Sequence, residues 1–199
     1  MSKEAPGHAS RRVTGGLQTF VLQCGQLLGF CELLRGESLQ LVYAMLLRLV
    51  GKLHVRGYAP QAIFYDNACK LLSMARAKRH CYPPLTEIFA ELTILLDQFH
   101  RDNHSWCLQH LPEVDCRRPE AKQYTDGVDT QACEQLNSFI SDCTTPALEM
   151  TQGRYFLWWT ALFRLKNAWA LSERSKARAR FARGYMKHDP DTVRQRTGQ

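Results

Sequence analysis

The sequence has no hydrophobic run long enough to cross a membrane. Its longest uncharged apolar run, from Tyr155 to Phe163, has 9 residues, whereas a membrane-spanning helix needs about 20. The start of the chain also lacks the apolar region of a secretory signal. We therefore expect no membrane segment, and we place the protein in the cytosol or the nucleus.

The 8 cysteines do not form the pattern of a disulfide scaffold or of a paired zinc knuckle. Disulfide-rich small domains are secreted, and no secretory signal is present here. A Cys-x-x-Cys pair, which would be a strong sign of zinc, is missing as well. The cysteines are therefore expected to be reduced thiols or ligands of a less regular metal site.

Acidic residues are scarce in the last quarter of the chain. Residues 151–199 contain 11 Lys or Arg and 3 acidic residues, a net charge of +8, whereas residues 1–150 contain 15 and 16, a net charge of −1. This asymmetry fits a polyanionic partner such as nucleic acid, and it equally fits a solvated basic helix. The hydrophobic content of 45% is enough for a globular core.

The first third of the chain predicts a hairpin followed by a helix. Residues 1–12 are polar and are expected to form a loose terminus. Strand-preferring residues from Leu17 to Gln23 and from Leu27 to Leu34 flank the turn signal Cys24-Gly25. Gly36-Glu37-Ser38 then begins a helix that Gly51 or Gly57 ends. Its predicted buried face has apolar residues at spacings of three and four: Leu39, Val42, Tyr43, Leu46, Leu47 and Val50.

A short apolar run from Ala62 to Tyr65 predicts a buried strand that ends at Asp66. Functional side chains gather at the carboxyl ends of strands in α/β folds, but an aspartate before a helix can also be a simple cap. Both interpretations of Asp66 stay open. A helix is expected to follow, Tyr82-Pro83-Pro84 breaks it, and another helix is predicted from Leu85 to Phe99.

Histidines and cysteines cluster after Phe99. His100, His104 and Cys107 are spaced four and three apart, so a continuing helix would present them on one face. Imidazole and thiolate ligands suit zinc, with Cys69, His110 or Cys116 as candidates for a fourth ligand. Packed, hydrogen-bonded side chains are the alternative. The charged segment from Pro112 to Gln123 is expected to be irregular.

Carboxylates surround the start of a later helix. Asp129 or Thr130 can cap it, and Ala132, Leu136 and Phe139 follow at helical spacing. Glu134 lies away from the most apolar stripe, so it either meets solvent or points into a polar site.

The helix that follows is expected to break at Thr144-Thr145-Pro146. Aromatic residues from Tyr155 to Leu171 predict a largely buried segment, although tryptophans beside a basic helix could also stack bases. The tail beyond it is a candidate nucleic-acid contact through six basic residues: Arg174, Lys176, Arg178, Arg180, Arg183 and Lys187.

This order of elements predicts an α/β fold with a ribonuclease-H-like core that lacks its first strand, and with a helical insertion and a helical C-terminal extension. Three strings combine these candidate residues: Tyr65-Asp66-Asn67-Ala68-Cys69, Phe99-His100-x-x-x-His104-x-x-Cys107, and Asp126-Gly127-Val128-Asp129-Thr130-x-Ala132-Cys133-Glu134-Gln135. They resemble strings of the Kyakuja, Dileera and Zisupton transposases, a DDE-type family. Gly15-Gly16 and Glu37-Ser38 are similar too, so the resemblance covers about residues 14–170.

The resemblance implies that Asp66 and Glu134 are catalytic, with Mg²⁺ or Mn²⁺ held by carboxylates. We also expect Asp126 or Asp129 to serve as a further ligand. It implies a zinc-binding or structural role for His100, His104 and Cys107. In such sites two cations activate the attacking oxygen and stabilise the leaving oxygen of a phosphodiester. DNA is then the expected partner, the nucleus the expected location with the cytoplasm as the alternative, and a homo-oligomer is left open.

One departure from the family concerns its first catalytic aspartate, which lies on a strand before the Gly-Gly region. Only Met1 to Thr14 precede that region here, and they contain no Asp. We therefore expect a truncated or domesticated copy, with residues 1–12 flexible, 13–171 the transposase-derived domain and 172–199 the basic tail. Its function is either DNA transposition chemistry or non-catalytic binding of DNA or protein.

Overall fold

The computed structural model describes residues 16–33, 36–58, 60–128 and 130–186, with side chains described as far as residue 176. The fold is mixed α/β and divides into two compact units between Glu149 and Met150. The sequence placed a domain boundary at residues 171 and 172, a point that lies within a single helix of the second unit.

The first unit begins with the predicted hairpin. Strand β1, Leu17–Val21, pairs antiparallel with strand β2, Leu27–Glu32, and Leu17 lies opposite Glu32. Gly25 in the connecting turn has a φ of +75°, a left-handed conformation that glycine adopts without steric strain. The prediction of a hairpin over this segment is confirmed.

Helix α1, Leu39–Val55, packs its apolar face into the core of the first unit. The hydroxyl of Ser38 accepts a hydrogen bond from the backbone N–H of Leu41 at 3.2 Å and so caps the helix. Val42, Leu46 and Val50 are buried at the predicted spacing. The helix continues past Gly51 and ends just before Gly57, so the second of the two predicted stops is the one used.

Two short parallel strands form a second sheet. Strand β3, Ala62–Phe64, is followed by helix α2, Ala68–Ala77, and helix α3, Leu85–Ala90, before strand β4, Thr93–Leu95. The prediction of one helix from Leu85 to Phe99 is wrong, because the chain leaves the helix at Ala90. A short apolar run of three residues, two of them β-branched, is compatible with a strand as well as with a helix. Periodicity alone does not distinguish the two elements.

The segment after β4 is built from short helical turns. Two of them are 3₁₀ turns at Arg101–Asn103 and Pro112–Val114, and between them lies helix α4, Ser105–His110. The predicted continuous helix through the histidines is therefore wrong. A third 3₁₀ turn and helix α5, Lys122–Thr125, lead to the last helix of the unit.

Helix α6, Ala132–Leu148, contains Pro146, so the prediction of a break there is wrong. Pro146 has no N–H to donate to the carbonyl of Asp142 four residues earlier, so the helix lacks that one bond near its end and continues for two more residues. The residue at the helix start is Gln131 rather than Thr130, and Asp129 lies outside the described residues.

The second unit contains helix α7, Gln152–Met186. Tyr155, Trp159 and Phe163 are buried along one stripe, with ring centroids 6.1 and 5.5 Å apart. Leu157, Leu165 and Trp169 are each more than half exposed, so the prediction that this segment is largely buried is wrong. Within the described chain, no helix has the length and apolar content to span a membrane.

Candidate metal centres

The carboxyl ends of the two parallel strands place two aspartates at one edge of the sheet. Phe64 lies opposite Leu95, and an aspartate follows each of these residues by two positions, as Asp66 and Asp97. The backbone N–H of Tyr65 still donates to the Leu95 carbonyl at 2.9 Å, so the pairing extends past the strand itself. Asp66 and Asp97 therefore stand at equivalent positions of neighbouring strands.

Asp97 is the centre of the first candidate site, which also contains His100 and Glu134. One potential ligand atom from each of these three side chains lies within 4.8 Å of the other two. Asp97 is only 8% exposed, and its Oδ2 lies 3.3 Å from His100 Nδ1. Its Oδ1 accepts a hydrogen bond from the Phe99 backbone N–H at 3.3 Å. We call this set the acidic group.

The electrostatics of the acidic group extend to Cys133, which precedes Glu134 on α6. Loss of hydration raises the pKa of the Cys133 thiol, and the negative charges of Asp97 and Glu134 raise it further. The negative potential at this point favours a bound cation, which would neutralise it. Two carboxylates and one imidazole suit Mn²⁺ or another transition ion, while Mg²⁺ would use mainly the carboxylate oxygens.

Asp66 has a different local role. Its Oδ1 accepts a hydrogen bond from the backbone N–H of Asn67 at 2.7 Å, and Asn67 is the residue at the start of α2. Within the described chain, Asp66 belongs to neither group of three potential metal ligands. The structure thus brings Glu134 together with Asp97 and His100, whereas the sequence paired it with Asp66.

Asp97 was missed because the sequence analysis assigned its neighbourhood to a helix. If Thr93-Ile94-Leu95 is interpreted as a strand, Asp97 becomes a strand-end aspartate of the same kind as Asp66. The β-branched residues Thr93 and Ile94 of that run favour a strand.

The second candidate site, which we call the thiol group, consists of Cys69, His104 and Cys107. The Sγ atoms of Cys69 and Cys107 are 2.7 Å apart, and Cys107 Sγ lies 3.5 Å from His104 Nδ1. Both cysteines are buried in the main core, and both are free thiols. Burial, together with the hydrogen bond and charge of Cys69, raises the pKa of Cys107 to about 11.

The donor atoms of the thiol group are of the types that bind zinc, but they supply three of the four ligands of a structural zinc site. In a tetrahedral site with Zn–S bonds of about 2.3 Å, two sulfurs are roughly 3.7 Å apart. The two thiols would therefore separate by about 1 Å on binding zinc. Among the described residues, no fourth His, Cys, Asp or Glu completes the set.

The other predicted zinc ligands lie elsewhere. His100 belongs to the acidic group. His110 is exposed, stacks on Trp106 with ring centroids 4.2 Å apart, and has its Nδ1 2.8 Å from the Trp106 carbonyl oxygen. Cys116 is buried in a separate cluster with Leu95.

Of the predicted carboxylate ligands near α6, Asp126 belongs to neither group. The Asp126 carboxylate is 65% exposed and lies 4.0 Å from the Lys122 amine, a weak surface pair. Asp129 falls outside the described residues, so its predicted role has no structural counterpart here.

The predicted nucleic-acid tail is described only in part. Lys176 on α7 donates to Glu173 at 2.7 Å, so part of its charge is neutralised locally. Arg174 is on the same helix and also has a partner. The side chains of Arg178, Arg180 and Arg183 are not described, and Lys187 lies outside the described residues.

A basic cavity that the sequence did not predict lies in the first unit. Its volume is about 610 Å³, and its lining includes Arg117, Arg118 and Lys122. Gln98, the residue after Asp97, lines the same cavity. In the sequence this segment has the character of a charged loop, and charge alone does not show that its cations line one cavity.

No family model, no curated protein and no solved structure matches the chain.

Proposed function

We propose that the first unit is a DDE-type transposase domain or its remnant, with a ribonuclease-H-like core that lacks its first strand. The reaction would be metal-dependent cleavage and transfer of DNA phosphodiesters. The observation that supports the proposal is the acidic group, which adjoins a sheet edge bearing a second aspartate. Clustered carboxylates at a strand-end edge are what two-metal phosphodiester chemistry requires.

Asp97, Glu134 and His100 would hold a divalent cation, Mn²⁺ or Mg²⁺. When bound, the cation would act as a Lewis acid toward a phosphate oxygen. Asp97 would orient His100 through the 3.3 Å contact between its Oδ2 and Nδ1, and in the tautomer protonated at Nδ1 the Nε2 atom would bind the cation. Asp66 would add a further carboxylate from the neighbouring strand, as the resemblance implies.

DNA would be held beside this group by the basic cavity. Arg117, Arg118 and Lys122 supply cationic groups next to Gln98, which directly follows Asp97. Contacts of this kind bind phosphates and carry little sequence information. The basic tail would add further phosphate contacts, and the nucleus is the compartment that such a function implies.

Metal binding and DNA nicking by three variants test the proposal. Asp97→Asn and Glu134→Gln should each weaken Mn²⁺ binding at least tenfold and abolish nicking, because each removes a charged ligand. Glu149→Gln, an exposed carboxylate just beyond the end of α6, is the matched control and should change neither. Unchanged Mn²⁺ affinity in both site variants, with the fold intact, would overturn the proposal.

A second candidate function is a non-catalytic domain that binds DNA or protein and is stabilised by structural zinc. The thiol group favours it, because two of its three ligands lie in the main core, as structural zinc ligands often do. The two functions differ in their metal dependence. Zinc removal should lower the melting temperature in the second case, with no nicking activity at any Mn²⁺ concentration.

A further inference from the structure

The first unit contains a cavity between the free edges of its two sheets. Its volume is about 620 Å³. The lining includes every residue from Gln18 to Gln23 along β1 and every residue from Pro60 to Tyr65 along β3. A sheet face would contribute alternate residues, so an unbroken sequence of lining residues means that the strand edge itself faces the cavity.

Backbone hydrogen bonding shows which groups of β1 face this cavity. Leu33 donates to the Gly16 carbonyl at 2.9 Å, and Leu22 donates to the Gln26 carbonyl at 2.8 Å. In an antiparallel pair the groups of alternate residues face the partner strand, so Gln18 and Phe20 bond to β2. The N–H and C=O groups of Thr19 and Val21 therefore point away from β2, toward the free edge.

The same reasoning applies to β3. The Tyr65 N–H donates to the Leu95 carbonyl, so Tyr65 and Ile63 face β4. The groups of Ala62 and Phe64 then point to the free edge. Both two-stranded sheets end here, and within the described residues no strand pairs with either edge.

The layers around the cavity define the side chains that would fit it. Ile63 packs against the main core cluster, whereas Ala62 and Phe64 pack against the cluster around Leu95. A strand beside β3 would lie between the same two layers and be buried on both faces. Such strands are continuous apolar runs rather than alternating ones.

We propose that this cavity is an acceptor slot for one extended strand supplied by a partner polypeptide. The occupant would be a run of about three to five apolar, β-branched residues, matching the lengths of β3 and β1. The described lining contains no Lys or Arg, and Asp126 is its one carboxylate. A cationic residue flanking the run would therefore be favoured over an acidic one.

Neither residues 1–15 nor the described strands have the character of this occupant. Residues 1–15 contain Val13 as their one β-branched aliphatic residue and no apolar run. A second copy would have to donate a strand, but the described strands are already paired within their own unit. The apolar lining without cations fits an apolar strand from a separate polypeptide, which is the occupant to be tested.

The test uses the full chain and a fluorescent peptide of five alternating Val and Ile residues flanked by Lys pairs. The matched control peptide is N-methylated at two alternate amides, which removes backbone donors and keeps the side chains. We expect the control to bind at least about tenfold more weakly, since each lost hydrogen bond reduces affinity several-fold. Equal binding of the two peptides, or no binding, would overturn the proposal.

Residue-resolved amide exchange gives a second measurement. Peptide binding should slow exchange at Thr19, Val21, Ala62 and Phe64, while Phe20 should not change because its amide already bonds to β2. If the four amides are protected in the free protein and lose that protection on dilution, the occupant is a second copy. If the four amides lose protection when residues 1–15 are deleted, the occupant is the chain's own terminus. Either result would refute a partner strand.

Discussion

The ion pair between Arg101 and Asp115 should carry a large share of the stability of the segment that bears the acidic group. Arg101 donates through Nε to Asp115 Oδ1 and through Nη2 to Oδ2, both at 2.7 Å. The two side chains are only 20% and 19% exposed. This bidentate geometry joins the turn after His100 to the loop that precedes the basic cavity.

The perturbation is Arg101→Met, which keeps the aliphatic stem and removes the guanidinium. Removal of one partner of a fully buried pair costs about 3–5 kcal/mol, and an exposed pair contributes at most about 1 kcal/mol. With one fifth of each side chain exposed, we expect a loss of about 2 kcal/mol. In a chain of this size that corresponds to a fall of roughly 4–8 °C in the melting temperature.

The pH dependence gives the sharper test. The hydrogen bonds from Arg101 lower the pKa of Asp115, helped by the Arg117 backbone N–H, although burial opposes the shift. A carboxyl group whose pKa is lowered by folding stabilises the fold above its unfolded pKa, near 4, and that contribution is lost as pH falls through the folded pKa.

The wild type should therefore lose more stability than Arg101→Met when the pH falls below about 4. The assay is urea unfolding followed by circular dichroism at a series of pH values. Arg101→Lys is the control, because lysine keeps the positive charge but cannot make the bidentate hydrogen bonds. Its loss of stability on acidification should lie between those of the wild type and Arg101→Met. Parallel pH curves for wild type and Arg101→Met would refute the reasoning.

Three further predictions concern the metal sites and the tail. Zinc affinity should fall about tenfold or more per pH unit as the pH falls, because binding displaces the proton of a Cys107 thiol whose pKa is about 11. Titration with a zinc indicator at several pH values measures this affinity, and an affinity that does not change with pH would contradict the prediction. Cys107→Ser should lower the zinc content measured by atomic absorption, whereas the buried control Cys116→Ser should not. DNA binding through the tail should show a log–log salt slope near −3, on about 0.9 per phosphate contact. Replacing Arg178, Arg180 and Arg183 with alanine should flatten that slope, as fluorescence anisotropy across a salt series would show. An unchanged slope would place the DNA contact elsewhere.

The elements that the sequence predicted well are those in which local signals agree with tertiary packing. The hairpin has a glycine turn between two β-prone runs, and α1 has a serine cap, a regular apolar stripe and Gly57 after its end. Each of these features acts within a few residues, so the local pattern is enough.

The elements that were mispredicted depend on partners distant in sequence. Strand β4 exists because Thr93–Leu95 lies beside Ala62–Phe64, about 30 residues earlier, and three apolar residues do not reveal such a pairing. On α7, hydrophobicity around the whole helix predicted burial, yet the structure buries one stripe and exposes Leu165 and Trp169. Composition shows that a segment is apolar but not how much of it finds a partner.

The acidic group shows how one strand assignment changes a functional interpretation. The sequence left Glu134 either in solvent or in a polar site, and its expected partner was Asp66 at the end of β3 because β4 was predicted to be part of a helix. The parallel register makes Asp97 the equivalent of Asp66, and the short turn after β4 returns His100 to the Asp97 carboxylate. His100 was therefore separated from His104 by the 3₁₀ turn at Arg101–Asn103, which breaks the four-residue spacing that had joined them. Of the five residues in the predicted zinc motif and acidic pair, two belong to the acidic group, two belong to the thiol group, and Asp66 belongs to neither. This division follows from where a three-residue strand begins and ends.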